Sequence, residues 1–393
     1  MKKLLLLLTA HCGVFAVANP LSAQTWSATT APFSYWSGVA SSGDGVKLEA
    51  ACIYRGTNLD MSGAIYVSTN SGATWTNSGA PYGTWSAISS STNGNKLVAA
   101  QGYYIYVSAD SGATWTPGNA PGGYWTFTAS SGDGSKLVAV AAGSLCAIYT
   151  STDSGATWVS NNVPNSEEWF SVASSMDGTK LVAASNSNTN GGPGSIFTSV
   201  DSGAHWRSNS VANQEWYSVA SSADGNRLAA IYPGTTVFTS SNAGTNWTQQ
   251  SLPPGFWTAI VSSADGTRLL AVDNGGGICT STDSGATWST NSAPGLGWQW
   301  AASSLDGNKL VAAAIGDGIY VSQPAPFLNI AGAATNAVLS WSWPSANFGL
   351  QQNTNLATTN WVAVTNVPVF TNWQNRVTVL RTNSNGFFRL KSP

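Results

Sequence analysis

The sequence predicts an all-β protein, and two observations carry that prediction. Only 8% of the 393 residues are charged, while 41 are glycine and 19 are tryptophan, a composition that favours short strands and turns over helices. In addition, seven segments share a tryptophan that is followed by Ser-Ser at five residues, by Asp-Gly or Asn-Gly at eight and by Leu at twelve. Such a repeat decides the fold, because each copy is one structural unit that packs on its neighbours.

The first 23 residues are expected to be a secretory signal peptide. Lys2 and Lys3 precede the apolar run LLLLLTAHCGVFAVA, and the small residues of LSA suit cleavage after Ala23. The run is too short for a spanning helix, no later stretch approaches 18 apolar residues, and Cys12 lacks the preceding residues of a lipoprotein signal. We therefore expect an exported mature chain that begins at Gln24 and is secreted, periplasmic or held at the cell surface.

The repeat tryptophans begin units of similar length. They are Trp36, Trp85, Trp125, Trp169, Trp216, Trp257 and Trp298. Six units also contain a second motif, S-x-D-S-G-x-x-W or a close variant, which ends at Trp75, Trp115, Trp158, Trp206, Trp247 and Trp288. The mean spacing of about 44 residues suits four short strands with their turns, the size of one propeller blade. The predicted architecture is a seven-bladed β-propeller over residues 24–323.

Both motifs have the residues that tight turns need. Asp-Gly or Asn-Gly supplies the positive φ of the first hairpin. In the second motif an Asp or Asn side chain accepts backbone N–H bonds, glycine relieves strain and tryptophan covers the hairpin. The predicted structural residues are Asn70, Asp110, Asp153, Asp201, Asn242 and Asp283.

The second motif resembles the Asp-box of the sialidase-like, or BNR-repeat, β-propeller superfamily. STDSGATW and its variants carry the resemblance, which with the Ser-Ser motif covers residues 24–322. The resemblance implies that the two short turns of each blade share one face, whereas the longer loops share the other. It implies little about activity, because the superfamily includes hydrolases, sorting receptors and assembly factors.

The seventh repeat lacks its last strand. It reaches GIYVS at 318–322 and continues as QPAPF where a second motif would begin. Near the N-terminus, Trp26 stands ten residues before Trp36, as a final strand does in other repeats. We predict that this N-terminal segment supplies the missing strand and closes the ring, which leaves no open sheet edge.

Residues 324–393 are predicted to form a second domain, a small β-sandwich. AVLSWSWP, WVAVTN, RVTVLR and GFFRL read as short alternating strands. The pattern FGLQQNTNLATTNWVAV…FFRL resembles a C-terminal module of exported bacterial proteins. Attachment and stabilisation both stay open as its role.

The irregular loops opposite the turns are where a ligand is expected. The residue before each repeat tryptophan varies, and the candidate binding residues on this face are Tyr35, Tyr124, Phe256 and Trp300, with Arg55 in the long loop CIYRGTNLDMSG. Sugar C–H groups pack on aromatic faces, while amides and carboxylates bind the hydroxyls. The leading prediction is a non-enzymatic protein that binds a glycan (a polysaccharide) or a protein ligand. Packing between blades is the alternative reading of these aromatic residues.

Nucleic-acid binding and sialidase activity are disfavoured. A net charge of −2 without clustered Lys and Arg provides no field that would attract nucleic acid or an anionic membrane. Sialidases, which the Asp-boxes resemble, use three arginines on the substrate carboxylate. Here the propeller has Arg55 and three arginines at repeated structural positions, Arg207, Arg227 and Arg268.

Metal and histidine chemistry are also not expected. The one mature histidine, His205, occupies a threonine position inside an Asp-box. Cys52, Cys146 and Cys279 have no C-x-x-C spacing, so no zinc site is suggested and at most one disulfide can form. We expect no cofactor, no metal and a monomeric protein.

One enzyme hypothesis stays open, a glycoside hydrolase, because it needs only two carboxylates that flank a sugar bond. Glu168 and Glu215 hold equivalent positions in adjacent repeats, and Asp60 lies in the long loop of repeat 1. These are the candidate catalytic residues, with solvated surface charges as the alternative. Xyloglucan-cleaving relatives with Asp-boxes place their cleft between two propellers, whereas one is predicted here. A further class, assembly factors similar to photosystem-associated propellers, relies on a basic arginine patch that this sequence lacks.

Overall fold

The computed structural model describes most of the chain. The described residues are 6–7, 25–55, 63–143, 145–164, 166–209, 211, 213–323, 328–332, 336–342, 349–353, 360–366, 368–371, 374–380 and 387–391. They form strands and turns without a helix, so this part of the chain contains no apolar helix of membrane-spanning length. The chain divides into two compact units, Thr25–Gln323 and the combination of Met1–Gln24 with Pro324–Pro393.

Each of repeats 2 to 6 forms its own four-stranded antiparallel sheet, with the strands in sequence order. The strands of repeats 2 and 3 are Trp85–Ser90, Leu97–Gln101, Tyr104–Ser108 and Thr116–Pro117, then Tyr124–Ser130, Leu137–Ala142, Ala147–Ser151 and Val159–Ser160. Those of repeats 4 and 5 are Glu167–Ser174, Leu181–Asn188, Ile196–Ser199 and Arg207–Ser208, then Ser218–Ser221, Leu228–Ile231, Gly234–Ser240 and Thr248–Gly255. Repeat 6 has Trp257–Ser262, Leu269–Asp273, Ile278–Ser281 and Ser289–Thr290.

Repeats 1 and 7 join into one eight-stranded sheet. Repeat 1 contributes Ser34–Ser41, Leu48–Arg55, Ile65–Ser68 and Thr76–Asn77. Repeat 7 contributes Trp298–Ser303, Leu310–Asp317 and Ile319–Gln323, and its fourth strand is the N-terminal strand, Thr25–Ala28. The N-terminal strand lies antiparallel to Ile319–Gln323, with Trp26 opposite Ser322. The strands of the two repeats join where Ile315 of repeat 7 lies opposite Tyr35 of repeat 1.

The core of the first unit lies between neighbouring repeats, where the seven repeat tryptophans are buried to between 0% and 2% exposure. Trp298 shows the packing: its ring centroid lies 5.2 Å from that of Tyr320 and 6.3 Å from that of Trp26. Burying a ring of this size removes a large apolar area from water. The repeat tryptophans are therefore packing residues.

Seven backbone hydrogen bonds link the repeats in a closed circuit at the Ser-Ser-x-Asp-Gly turns. The N–H of each residue x donates to the carbonyl of the next at 2.7–2.8 Å, through Gly43, Thr92, Gly132, Met176, Ala223, Ala264 and Leu305. The last bond, from Leu305, returns to Gly43. Inside the circuit, the first serines of the seven Ser-Ser pairs line a cavity of about 150 Å³. Their hydroxyls donate to the carbonyl of the following serine, so they belong to the scaffold.

The Asp-boxes are hydrogen-bonded turns. In repeat 3, Asp153 Oδ1 accepts bonds from the Ser151 hydroxyl and the Thr157 N–H, both at 2.8 Å, and Oδ2 accepts the Thr157 hydroxyl at 2.6 Å. The serine and N–H contacts recur at Asn70, Asp110, Asp201, Asn242 and Asp283. The Thr157 hydroxyl, followed by the Thr157 N–H, holds the pKa of Asp153 at about 2.

The repeated Lys or Arg ties one repeat to the next Asp-box. Lys96 Nζ donates to Ser154 Oγ at 3.1 Å, and Lys136 Nζ donates to Ser202 Oγ at 3.2 Å. Arg227 bonds Ser284 in the same way. These cations therefore stabilise the contact between neighbouring sheets.

Glycine is required in the Asp-Gly turns, and Gly178 allows a test. Its φ is +68°, and an added Cβ would lie 2.7 Å from Lys136 Cδ. Because a side chain is strained at this φ, we expect Gly178→Ala to lower the free energy of unfolding by about 1–2 kcal/mol, measured by urea denaturation. Gly122→Ala is the control, since Gly122 lacks a positive φ and nothing lies within 4 Å of an added Cβ. Equal losses in both variants would contradict the prediction.

The described residues of the second unit form two four-stranded antiparallel sheets. One has the spatial order Asn329–Gly332, Asn336–Ser342, Gln374–Leu380 and Val369–Thr371. The other has the order Leu6–Leu7, Phe387–Lys391, Gly349–Asn353 and Val362–Ala363, where the first strand lies within the predicted signal peptide. The two sheets share a buried cluster that consists of Leu328, Leu339, Trp341, Leu350, Val377 and Phe388.

Candidate functional site

The strand ends of the unit Thr25–Gln323 form two different faces. We call the end with the Ser-Ser-x-Asp-Gly turns and the Asp-boxes the turn face. The opposite end, the loop face, consists of the hairpins between second and third strands and of the segments that connect successive repeats. Because the repeated polar groups of the turn face are used by the scaffold, the variable residues of the loop face are the ones available to a ligand.

Four exposed tyrosines gather around the hairpin of repeat 2 on the loop face. Tyr82 lies in the connection from repeat 1, Tyr103 and Tyr104 lie in the hairpin, and Tyr124 begins repeat 3. Their exposed fractions are 61%, 65%, 60% and 61% in that order. A group of exposed aromatic side chains on a folded protein marks an interaction surface. We call these four residues the tyrosine patch.

Hydrogen bonds hold the segments of the patch together. Gln101 Nε2 donates to the Pro81 carbonyl at 3.1 Å. The Gly102 N–H donates to the Thr84 carbonyl at 3.1 Å, and the Gly102 carbonyl accepts the Trp125 N–H at 3.2 Å. The three segments that carry the patch are thus tied to one hairpin.

The tyrosine patch is electrically neutral. Segments 76–85, 101–104 and 116–125 contain no Asp, Glu, Lys or Arg, but they do contain Asn77, Gln101 and Asn119. An ionic ligand would lose hydration here without gaining a countercharge, which costs free energy. An uncharged ligand does not have this cost. The patch is therefore suited to an uncharged ligand with hydroxyl or amide groups.

The other aromatic candidates of the loop face lie outside the patch. Phe256 is 46% exposed and packs on Tyr217, with 5.4 Å between the ring centroids, and Tyr217 packs on Phe170 at the same distance. Tyr35 lies opposite Tyr54 in the first hairpin of repeat 1. Arg55 is paired opposite Ser34, and its side chain is outside the described part of the structure.

Trp300 has a packing role instead of an exposed position. Its side chain is half-buried, and its ring centroid lies 5.9 Å from that of Phe127, a residue of repeat 3. Its Nε1 donates to the Trp36 carbonyl of repeat 1 at 3.1 Å. Trp300 therefore connects three repeats, which the linear pattern did not indicate.

The candidate catalytic carboxylates are not brought together by hydrogen bonds. Glu168 Oε2 accepts the Gly143 N–H at 2.7 Å, and Oε1 lies 3.7 Å from Cys146 Sγ. Glu215 is exposed, and within the described residues no hydrogen bond joins it to Glu168. Asp60 lies outside the described residues. The Glu168 carboxylate thus already stabilises the hairpin of repeat 3.

Three of the remaining acidic residues also stabilise the scaffold. The buried Glu167 carboxylate accepts the Ser185 hydroxyl. Asp273 Oδ1 accepts the Gly275 N–H at 3.0 Å, and Asp317 Oδ1 accepts the Gly318 N–H at 2.6 Å. Glycosidase chemistry needs two carboxyl groups that are available to the sugar, which these hydrogen bonds do not favour.

The thiols and the histidine are in structural positions. Cys52, Cys146 and Cys279 are buried, and burial raises the pKa of the Cys146 and Cys279 thiols, which disfavours a reactive thiolate. His205 Nδ1 lies 2.6 Å from Asp201 Oδ2 within its Asp-box. Among the described residues, no group of three or more His, Cys, Asp or Glu side chains could hold a metal ion.

The sheet arrangement is similar to that of two solved structures. The chain aligns over 78% of its length with a structure described as YCF48 bound to D1 peptide, and covers 99% of that chain with a TM-score of 0.59 and 15% sequence identity. YCF48 from Cyanidioschyzon merolae aligns with 77% of this chain and 99% of its own, with a TM-score of 0.56 and 14% identity. The fold is a β-propeller. At this identity the likeness concerns the fold alone, and no protein-family model or curated protein matches the chain.

The prediction of an all-β propeller is confirmed, but the sequence indicated only one member of the tyrosine patch. Tyr124 precedes a repeat tryptophan, whereas Tyr82, Tyr103 and Tyr104 lie in APYG and QGYY outside that position. The signal that could have found them is their place beside Gly and Pro in turns. An aromatic ring in a turn has no sheet face on which to pack, so it tends to be exposed.

Proposed function

We propose that the mature chain is an exported, non-enzymatic propeller that binds a neutral polysaccharide through its loop face. The tyrosine patch is the observation that carries this proposal. Tyrosine rings stack on the C–H faces of sugars, while their hydroxyls and the neighbouring amides bind sugar hydroxyls. Four rings on chain segments that contain no charged residue suit a neutral chain better than an acidic one.

The proposal includes seven blades over residues 24–323 and a β-sandwich over 324–393. The seven-membered hydrogen-bond circuit and the pairing of the N-terminal strand support a closed ring. The two sheets around one buried cluster support the sandwich. The Asp-boxes support membership of the sialidase-like, BNR-repeat superfamily, and residues 1–23 support export. We propose that the protein acts as a monomer.

A protein segment is the second candidate ligand. One of the similar propellers was solved with a bound peptide, which favours this class. Extended, uncharged peptides also dock on aromatic side chains, since their backbone supplies the polar groups and their side chains supply apolar contact. Tyr35, Phe256 and Arg55, which border other parts of the loop face, are further candidates for such a longer ligand.

A glycoside hydrolase is the alternative enzymatic function, with Glu168, Glu215 and Asp60 as its carboxylates. The hydrogen bond from Gly143 to Glu168 weighs against it, because that carboxylate is already engaged. Hydrolysis and binding are separated by one measurement, the release of new reducing ends from the polysaccharide that retains the protein.

We expect simultaneous alanine substitution of Tyr103 and Tyr124 to weaken retention on a neutral polysaccharide by about tenfold to a hundredfold. Each stacked ring contributes on the order of 1 kcal/mol, and two such losses give this factor. The measurement is depletion of the mature protein from solution by a panel of insoluble neutral and acidic polysaccharides. Reducing ends are assayed in the same samples.

The matched control is Val159→Ala, which removes an apolar side chain that is 66% exposed in the outer strand of repeat 3. Retention of this variant should equal that of the unchanged protein. If the tyrosine variant is retained as well as the control, the patch is not the binding site. Release of reducing ends that Glu168→Gln abolishes would establish the hydrolase instead.

A further inference from the structure

A cleft of about 200 Å³ lies between repeats 5 and 6 on the turn face. Its polar lining includes Arg227, Thr239, Thr248, Gln250, Asp283 and Ser284. The equivalent space between repeats 3 and 4, beside Lys136 and Ser202, measures only about 10 Å³. At about 30 Å³ of liquid volume per water, the larger cleft has room for a small organic molecule.

An asparagine side chain occupies the equivalent position beside the next Asp-box in repeats 3, 4 and 6. Asn161 Nδ2 of repeat 3 donates to the Ile148 carbonyl at 3.1 Å. The Asn161 amide packs closely on Gly203 of repeat 4, since a Cβ atom added to Gly203 would lie only 2.6 Å from Asn161 Oδ1. Repeats 4 and 6 have Asn209 and Asn291 at the same place. Asn209 Nδ2 donates to the Ile196 carbonyl at 3.1 Å, and Asn291 Nδ2 donates to Thr280 Oγ1 at 3.0 Å.

Repeat 5 departs from this arrangement. Gln250 takes the place of the asparagine, and its side chain makes no hydrogen bond with any residue that the structure describes. The outer strand Thr248–Gly255 also runs for eight residues, whereas that of repeat 6, for example, has two. The result is an open cleft with a half-buried amide whose polar atoms are available to a ligand.

Opposite charges line this cleft without forming an ion pair. Arg227 NH1 donates to Ser284 Oγ at 2.6 Å, which leaves further N–H donors of the guanidinium available. Asp283 accepts three hydrogen bonds within its Asp-box, and the Thr287 hydroxyl is the main cause of its lowered pKa. A carboxylate has about four acceptor positions, so one remains. No ion pair joins Arg227 to Asp283 in the described part of the chain.

We infer that this cleft binds a small zwitterion of the α-amino-acid type. The Arg227 guanidinium takes the ligand carboxylate in a bidentate contact, and the ligand ammonium donates to Asp283. Gln250 bonds the remaining polar groups, and Leu228 with Leu269 provides an apolar floor for an aliphatic side chain. A simple anion or a simple cation would pair with only one of the two charges, and a sugar would pair with neither.

The test is a calorimetric titration of the mature protein with L-leucine, N-acetyl-L-leucine, L-leucine methyl ester and glucose. Leucine should bind saturably. The acetylated compound lacks the ammonium and the ester lacks the carboxylate, so each should bind at least tenfold more weakly. Arg227→Gln should weaken leucine binding by about tenfold to a hundredfold, the usual effect of losing hydrogen bonds to a charged group.

Gln250→Asn is the sharper variant, because it restores the residue found in repeats 3, 4 and 6 and should fold normally. We expect it to abolish leucine binding while the melting temperature is kept. The matched control, Asn161→Gln in repeat 3, should leave binding unchanged. The proposal is overturned if leucine does not bind, if the ester or glucose binds equally well, or if Gln250→Asn has no effect. Alanine at Tyr103 and Tyr124 should not alter this titration. The proposal for the cleft and the proposal for the tyrosine patch can therefore be confirmed or rejected independently.

Discussion

Deletion of residues 24–30 is expected to destabilise the propeller by about 4 kcal/mol or more. The deletion removes the strand Thr25–Ala28, which pairs with Ile319–Gln323, and with it Trp26, whose ring packs on Trp298. Loss of a packed tryptophan alone costs about 3–5 kcal/mol. The edge of Ile319–Gln323 would in addition be exposed to pairing with other chains, so aggregation should increase.

The N-terminal segment also contacts the first repeat, which is why its loss should affect the whole ring. The Thr29 N–H donates to the Ile319 carbonyl at 2.9 Å, and the Thr30 hydroxyl donates to the Ala73 carbonyl at 2.9 Å. One segment thus bridges the Asp-box of repeat 1 and the third strand of repeat 7. Opening this junction removes contacts on both sides.

The measurement is thermal and urea unfolding of residues 24–393, residues 31–393 and the variant Trp26→Ala. We expect a lowered melting temperature in the deletion, and a smaller decrease in Trp26→Ala because the backbone pairing is kept. Ser27→Ala, which alters an exposed side chain in the same strand, is the control. A melting temperature of residues 31–393 equal to that of residues 24–393 would contradict closure by the N-terminal strand.

Stability should fall as the pH rises from 5 to 9, and Glu49 is the cause. This carboxyl group is 2% exposed, and burial raises its pKa to about 8, although the Lys47 charge and the Ser90 hydroxyl act in the opposite direction. Its Oε2 has no hydrogen-bond partner among the described residues. The equivalent position is Val98, Val138, Val182 and Val311 in other repeats.

The sign follows from the two pKa values of Glu49. Below its ordinary pKa of 4.5, the group is protonated in both folded and unfolded chains and has no effect. Between 4.5 and about 8 the unfolded chain ionises while the folded chain stays protonated, so stability is lost continuously and levels off above about 8. At about 1.4 kcal/mol per pH unit, the loss between pH 5 and pH 9 is about 4 kcal/mol.

Glu49→Val is expected to remove this loss and to be more stable than the unchanged protein at pH 9. The free energies of unfolding of both proteins should be measured in urea at pH 5 and pH 9, and their differences compared. Glu215→Gln is the control, because Glu215 is exposed and its replacement should keep the pH dependence of the unchanged protein. If Glu49→Val and the unchanged protein have the same pH dependence, the Glu49 carboxyl group is hydrated in the folded protein and the prediction is wrong.

The turns were predictable because their interactions are local. The Asp153 side chain is hydrogen-bonded to Ser151 and Thr157, which lie within the same Asp-box, and the Gly178 N–H donates to the Ser175 carbonyl within its own turn. A motif of eight residues thus contains the hydrogen-bond partners that shape the turn itself. Counting strands was also sufficient to connect Trp26 with the incomplete seventh repeat.

The candidate site was less predictable because exposure depends on neighbours from other repeats. Tyr124 and Trp300 are both aromatic residues beside a repeat tryptophan, yet Tyr124 is 61% exposed while Trp300 is half-buried against Phe127. Glu168 was predicted as an available carboxylate, but its partner Gly143 lies in the preceding repeat. A linear motif does not show which side chain will occupy the adjacent sheet.

The sequence by itself determined the all-β class, the repeated unit, its two turns and the expected place of the N-terminal strand, because each follows from local turn chemistry and from the order of strands. Only the tertiary structure decided the surroundings of the variable residues. It brought four tyrosines to one hairpin, buried Glu49 beside Ser90 and left Gln250 in an enlarged cleft. Burial, cavity volume and charge pairing arise between side chains from different repeats, so they appear only when the sheets are packed together.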